Sequence, residues 1–204
     1  MLTVGLTGSI AVGKSYVCQI LRDAGFPVLD ADVTAREVVA GGTPGLASII
    51  AAFGPEVILE TGEMDRSRVA SIVFSDAEKL QLLNSIIHPL VFEAQDKWLR
   101  EQAELFPEGV AIVDAALMIE SGGYKRFNKL IVVWCDADIQ LRRLMARDGF
   151  DEATAKARIA SQMPQDEKKR FADYLIDTSR GFKDTRIQVE GLTTRLSLLA
   201  SNKQ

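Results

Sequence analysis

The chain is short of several things, and each shortage excludes something. Of its 204 residues, one is histidine (His88) and two are cysteine (Cys18 and Cys135), far apart and in no CxxC pattern. That argues against a His/Cys zinc centre and against a disulfide scaffold, and it leaves two reduced, half-buried thiols of a cytoplasmic protein as the expectation. A basic excess is also missing, because 24 Lys and Arg stand against 28 Asp and Glu, for a formal net charge of -4. A general nucleic-acid binder normally shows the opposite balance, so no nucleic-acid partner is expected, and an anionic ligand has to meet a local basic patch. No apolar run approaches the roughly 20 residues of a membrane helix. Met1 to Gly13 is apolar enough to imitate a signal sequence, but it lacks a basic leader and a convincing cleavage site. No internal repeat and no low-complexity stretch interrupts the chain. We therefore expect a protein with no membrane partner, working as a monomer or weak homo-oligomer.

What is present is a hydrophobic content of 47%, enough for one sizeable core. Leu2 to Thr7 is a short, nearly continuous apolar run, the mark of a strand buried on both faces. Lys14 to Ala24 carries Val17, Ile20, Leu21 and Ala24 at helical spacing and stops at Gly25. Pro27 to Asp30 reads as a second strand. From Val33 to about Gln102 the pattern is helical, with segments at 34–40, 44–53, 65–74 and 76–102, the last expected to kink or break at Pro89. Strands return at Val110 to Asp114, Leu130 to Trp134 and Ala172 to Asp177. Helices are expected at 139–147, 152–163 and along the stripe Val189, Leu192, Leu196 and Leu199. Strands alternating with helices imply an α/β fold around a parallel sheet, with a helical insertion.

Gly8-Ser9-Ile10-Ala11-Val12-Gly13-Lys14-Ser15 lies between the first strand and the first helix and has the GxxxxGK[ST] spacing. Glycines at its ends let the backbone turn its N–H groups inward, and the following helix points its positive end at the same place. Such a P-loop holds ATP, with Lys14 on the β- and γ-phosphates and the Ser15 hydroxyl on Mg²⁺. No GxGxxG follows the first strand, which argues against a dinucleotide fold. Asn128-Lys129-Leu130-Ile131 lacks the aspartate of a guanine-reading motif and precedes a strand, so a small-molecule kinase fits better than a GTPase.

Carboxylates gather at expected strand ends, where an open parallel sheet forms its ligand crevice. Asp30 and Asp32 follow the second strand and Asp114 and Glu120 the third. Asp32 reads either as the base that accepts a hydroxyl proton or as a helix cap. Asp114 reads either as an acid holding magnesium through water or as a turn residue. Among the cations, Arg143 and Arg147 share one helix face, and Lys156 and Lys169 follow. They suit charge neutralisation at a γ-phosphate, or else a solvated charged face. Arg66 meets an anionic substrate or pairs with Glu63, and His88 is a packing residue or a substrate contact.

Taken together, several segments resemble the dephospho-CoA kinase family. They are Gly5 through Ser15, Asp30-Ala31-Asp32, Gly62-Glu63-Met64-Asp65-Arg66, Leu83-Asn84-x-Ile86-x-His88-Pro89, Asp114 through Glu120, Arg143-Leu144-Met145-x-Arg147, Arg158-Ile159-x-x-Gln162 and Ala172 through Ile176. The resemblance implies a three-layer P-loop NTPase core with a parallel sheet, a helical CoA-substrate region and a helical lid. The corresponding ranges are 1–32, 103–138 and 170–204 for the core, 33–102 for the substrate region and 139–169 for the lid. It implies transfer of the ATP γ-phosphate to the ribose 3′-hydroxyl of dephospho-CoA, the last step of coenzyme A biosynthesis, with ATP and Mg²⁺. The alternatives are another small-metabolite or nucleoside-type kinase, or a non-catalytic ATP sensor. The implied chemistry rests on Asp32 as base with Lys14, Arg143 and Arg147. Gly8, Ala11, Val12, Gly13, Lys14, Ser15 and Tyr16 hold the nucleotide. Asp32, Arg66, His88 and Asp114 contact substrate, and Ser15 and Asp114 serve the metal. The chain departs from the family pattern at Ser9 and Ala11 (usually glycine), at Ala116 (usually proline) and at Thr178-Ser179-Arg180 (usually Asn-Ser/Asn-Gly). Ala11 adds a methyl group that resists positive φ.

Overall fold

The computed structural model describes residues 1–74 and 76–202. Ser75, within the expected helical region, and Lys203 and Gln204, at the end of the expected core, lie outside the described residues. The chain divides into two compact units, one of Met1–Leu29 with Glu101–Gln204 and the other of Asp30–Arg100.

The first unit is built on the apolar runs. Strand β1 (Leu2–Thr7) pairs in parallel with β3 (Val110–Asp114) and with β4 (Lys129–Trp134), and β4 pairs in parallel with β5 (Tyr174–Asp177). With β2 (Val28–Asp30) at the edge, the strand order is β2-β3-β1-β4-β5. Every residue of β3 is buried and β1 nearly so, as a sheet covered on both faces requires. Helices α1 (Lys14–Asp23) and α9 (Phe182–Ser201) pack against each other. Val17, Ile20 and Leu21 of α1 and Val189, Leu192 and Leu196 of α9 join Leu6, Ile112, Ile131 and Ile176 of the strands in one core. Each such side chain contributes about 1.5–3 kcal/mol on burial. The register sets Leu6 opposite Asp114, so the acid ends β3 at the level where β1 runs into the P-loop.

Helices α6 (Ala137–Asp148), α7 (Glu152–Ala160) and α8 (Gln165–Lys169) fill the span between β4 and β5. The expected helix to Met163 stops at Ala160, and α8 was not expected. Between them the Gln162 side chain and the Met163 carbonyl reach the P-loop and the Met163 amide reaches Glu120, as described below.

The second unit has its own core of Val39, Leu46, Ile49, Val57, Met64 and Val69, with Leu83, Ile86 and Ile87 packed against it. Its helices are α2 (Ala31–Glu37), α3 (Pro44–Phe53), α4 (Arg66–Phe74) and α5 (Ala77–Leu105), whose last turn passes into the first unit. Helix α2 starts three residues before the expected Thr34 because Asp30 caps it, accepting the Asp32 and Val33 amides at 2.8 and 3.2 Å. Helix α5 continues through Pro89, so of the expected kink or break there the break does not occur. A proline removes one hydrogen bond and crowds the carbonyl four residues back, a local cost that the long helical segments on both sides carry.

Candidate active site

The P-loop takes its shape from three backbone positions. A β-carbon on Gly8 would lie 2.5 Å from the Val133 carbonyl oxygen, so only glycine lets the chain leave β1 this close to β4. Gly13 has φ 87° and forms the N-cap of α1, with no side chain capping the helix. With no side chain on it, the start of α1 leaves the Lys14 and Ser15 amides for a ligand at the positive end of the helix. Between them Ala11 has φ 61°, the only non-glycine residue with positive φ among those described. The methyl group therefore does not divert the loop, although the conformation costs about 1–2 kcal/mol for an L-residue.

Lys14 forms a salt bridge with Asp114, both groups being largely buried. The other Asp114 oxygen accepts the Cys18 thiol at 3.3 Å. Burial pushes the Cys18 thiol well up, and the Asp114 carboxylate adds to the effect. Both cysteines are free and fully buried, more so than the half-burial expected. Asp114 is accordingly a partner of the P-loop lysine and not a turn residue. Ser15 is exposed on the first turn of α1. Tyr16 packs edge-on against Phe182, ring centroids 4.7 Å apart.

The two arginines one turn apart on α6 have different surroundings. Arg143 donates to the Thr178 hydroxyl and carbonyl oxygens, both at 2.8 Å, and the Thr178 hydroxyl donates to the Val12 carbonyl at 2.7 Å. A β-carbon on Gly13 would lie 3.5 Å from the Arg143 guanidinium, which places that cation against the P-loop. Arg147 is exposed and forks onto Asp148 at 2.7 and 2.9 Å, holding that carboxyl below the usual range chiefly through this hydrogen bond. Lys156 pairs with Glu152 on the surface, and Lys169 lies over the Trp134 ring, 3.6 Å from its centroid. Lys168, hidden in what reads as a solvated charge run, is fully buried. Its amino group donates to the Ala116 carbonyl and pairs with Glu120, both at 2.8 Å.

Sequence reasoning gave no site role to a set of glutamines around the P-loop, although Gln162 stands in one of the family-like segments. The Ile10 amide donates to the Gln162 Oε1 at 2.8 Å, and the Gln140 Nε2 donates to the Ile10 carbonyl at 2.8 Å. Gln165 donates to the Gln140 Oε1 at 2.7 Å and accepts the Cys135 amide at 3.0 Å. Gln140 lies four residues before buried Leu144, so the inward face of α6 was the available signal for it.

In the second unit Asp32 is exposed in the first turn of α2, its carboxylate engaged in no hydrogen bond or ion pair among the described residues. Asp30, and not Asp32, is the cap. Arg66 is exposed and donates to the Arg36 carbonyl at 3.4 Å, while Glu63 accepts the Gly41 amide at 3.1 Å. His88 is exposed on α5, its ring 6.1 Å from that of Phe92.

An uncapped helix start, a turn of positive-φ residues, a lysine and an adjacent arginine make a site for a polyphosphate. Comparison with known proteins agrees. The dephospho-CoA kinase family model matches residues 2–184. The dephospho-CoA kinase of Geobacillus kaustophilus (strain HTA426) is 44% identical over 190 residues, 92% of this chain and 93% of the relative. Among solved structures, TT1252 from Thermus thermophilus superposes with a TM-score of 0.80 at 29% identity, over 97% of each chain. Dephospho-CoA kinase from Campylobacter jejuni gives a TM-score of 0.64 at 26% identity, over 96% of this chain and 97% of that one. With a P-loop core in place and a family match along nearly its whole length, the chain belongs to the dephospho-CoA kinase family.

Proposed function

We propose that the chain catalyses phosphorylation of the ribose 3′-hydroxyl of dephospho-CoA by ATP, giving coenzyme A and ADP. The observation that carries this is family membership over residues 2–184 together with a complete phosphate cradle at Gly8–Ser15. The 3′-oxygen attacks the γ-phosphorus, the bond from that phosphorus to the β–γ bridging oxygen breaks, and ADP leaves with the electron pair. The hydroxyl proton passes to Asp32, assigned here as base from its place in Asp30-Ala31-Asp32. Its exposed, unengaged carboxylate supports that role. Lys14 transfers from Asp114 to the phosphates, and Arg143, at Gly13, steadies the nucleotide. Arg147 supplies charge to the transferring group after leaving Asp148. Arg66 and His88 are assigned to substrate binding by the same family pattern.

Among the described residues no group of three His, Cys, Asp or Glu is arranged to hold a metal alone. The Ser15 hydroxyl and Asp114 fit the alternative, a magnesium ion held mainly by the nucleotide's phosphates. Bound there, Mg²⁺ would neutralise charge on the β- and γ-oxygens. Two free, buried thiols support a reducing compartment, and this reading places the enzyme in the cytoplasm.

The deciding experiment is an ADP-release assay with dephospho-CoA set against nucleoside monophosphates and sugars. The product mass should show one phosphate added at the 3′ position of dephospho-CoA. Preference for a nucleoside monophosphate or a sugar would reject the assigned acceptor while leaving the P-loop kinase reading standing.

A further inference from the structure

The strained residue of the P-loop and the two glutamines meet at Ile10, whose flanking peptide groups they hold. Ala11 holds φ 61° with no glycine to make it easy. Rotation about its N–Cα bond carries the preceding peptide plane with it. That plane contains the Ile10 carbonyl, which Gln140 grips at 2.8 Å. The Ile10 amide, on the other side of the same residue, is gripped by Gln162 at 2.8 Å. Relaxation of Ala11 to negative φ by turning that plane would pull the Ile10 carbonyl off Gln140.

The grips are themselves anchored. Gln140 is 2% exposed, and its Oε1 is fixed by Gln165, which is tied in turn to the Cys135 amide at the end of β4. The connection between α7 and α8 that carries Gln162 is pinned at Met163. There the carbonyl accepts the Ser9 hydroxyl at 3.4 Å, and the amide donates at 3.3 Å to Glu120, the partner of buried Lys168. No buried side-chain polar atom among the described residues lacks a partner, so the network is satisfied as it stands.

We propose that Gln140 and Gln162 are positioning residues that hold Ala11 in its left-handed conformation and so keep the P-loop amides turned toward the nucleotide phosphates. The inference deepens the reading of Gly8–Ser15 as the ATP cradle and rests on it. It assigns a function to the α7–α8 connection, which serves as an anchored support of the phosphate site. It also explains how an alanine is tolerated at this point in the loop.

The test is a set of ATP affinities by calorimetry on the full chain. Steady-state kcat and KM and thermal midpoints are measured beside them. Gln140→Leu and Gln162→Leu should each raise the Kd for ATP by about fivefold or more, the equivalent of the left-handed penalty at one residue. KM for ATP should rise in step, with a smaller change in kcat at saturating ATP. In the Ala11→Gly background the same substitutions should raise the Kd by less than about twofold, because glycine accepts positive φ unaided. If Gln140→Leu fails to fold, Gln162→Leu, at a half-buried position, carries the same comparison. An equal loss of affinity in both backgrounds overturns the inference, as does a lowered thermal midpoint with ATP affinity intact. Lys14→Ala separates the underlying reading. If it leaves ATP affinity unchanged, the cradle assignment itself fails. If it abolishes binding while both glutamine variants bind normally, only the positioning role is wrong.

Discussion

At the scale of single residues, the structure separates side chains that the sequence presents as equivalents. Asp30 and Asp32 differ in their work, since Asp30 caps α2 and Asp32 stands exposed in its first turn. Asp32→Asn should therefore lower kcat by at least about 100-fold, the usual worth of a general base. Its thermal midpoint should not move. Rate and midpoint are read on one preparation, and near-normal turnover would remove Asp32 from the base role. The α6 arginines form a second such pair. Arg143 makes two hydrogen bonds to Thr178, so Arg143→Ala should cost about 1.5–3 kcal/mol in urea denaturation and also raise KM for ATP. Among the described residues the ion pair of Arg147 is with its exposed neighbour Asp148, so Arg147→Ala should leave stability nearly unchanged. A loss of kcat in Arg147→Ala with ATP affinity kept would support action on the transferring phosphate. A loss of affinity with kcat kept would make Arg147 a ground-state binder.

At the scale of elements, most limits were legible because they follow from local chemistry. β1, α3 and β3 fall where apolar runs, Pro44 and a terminal aspartate put them. Errors came where a side chain several residues away, or another element, decided the end. Helix α2 starts early because a single carboxylate satisfies two amides. Asp30→Ala should then destabilise by about 1 kcal/mol, whereas Asp30→Asn, an equally good cap, should be near neutral. Urea denaturation checks both, and equal losses would show that the charge of Asp30 matters more than its cap. Helix α7 ends early because Gln162 and Met163 are drawn to the P-loop and to Glu120, contacts more than forty residues away in sequence. No periodicity within a short window carries that information.

At the scale of the whole molecule, buried thiols give global stability a signature at high pH. The Cys18 thiol is pushed above its ordinary value of 9.0 by burial and then by Asp114. Above pH 9.0 the unfolded thiol ionises while the folded one stays protonated. The unfolded state then binds fewer protons, so stability is intact below that pH and falls as pH rises through it. Between pH 8 and pH 10 the denaturation midpoint should fall more for the wild type than for Cys18→Ala. Equal falls would place the cause in other titrating groups. For the same reason, neither cysteine should react with a thiol reagent at pH 8 until the chain is unfolded.

Taken alone, the sequence determined the α/β class, the P-loop with Lys14 and Ser15 between the first strand and the first helix, and the resemblance to one kinase family. Each of these is written in contiguous residues or in motifs whose chemistry is local. Tertiary structure alone decided that Asp114 engages Lys14, that Arg143 rather than Arg147 stands against Gly13, that Lys168 is buried with Glu120, and that Gln140 and Gln162 hold Ile10 with Gln165 behind Gln140. Those partners lie between 25 and 152 positions apart in the chain. Side-chain hydrogen bonds reach only about 3 Å, so which polar groups meet is set by how strands and helices pack and not by their spacing in sequence.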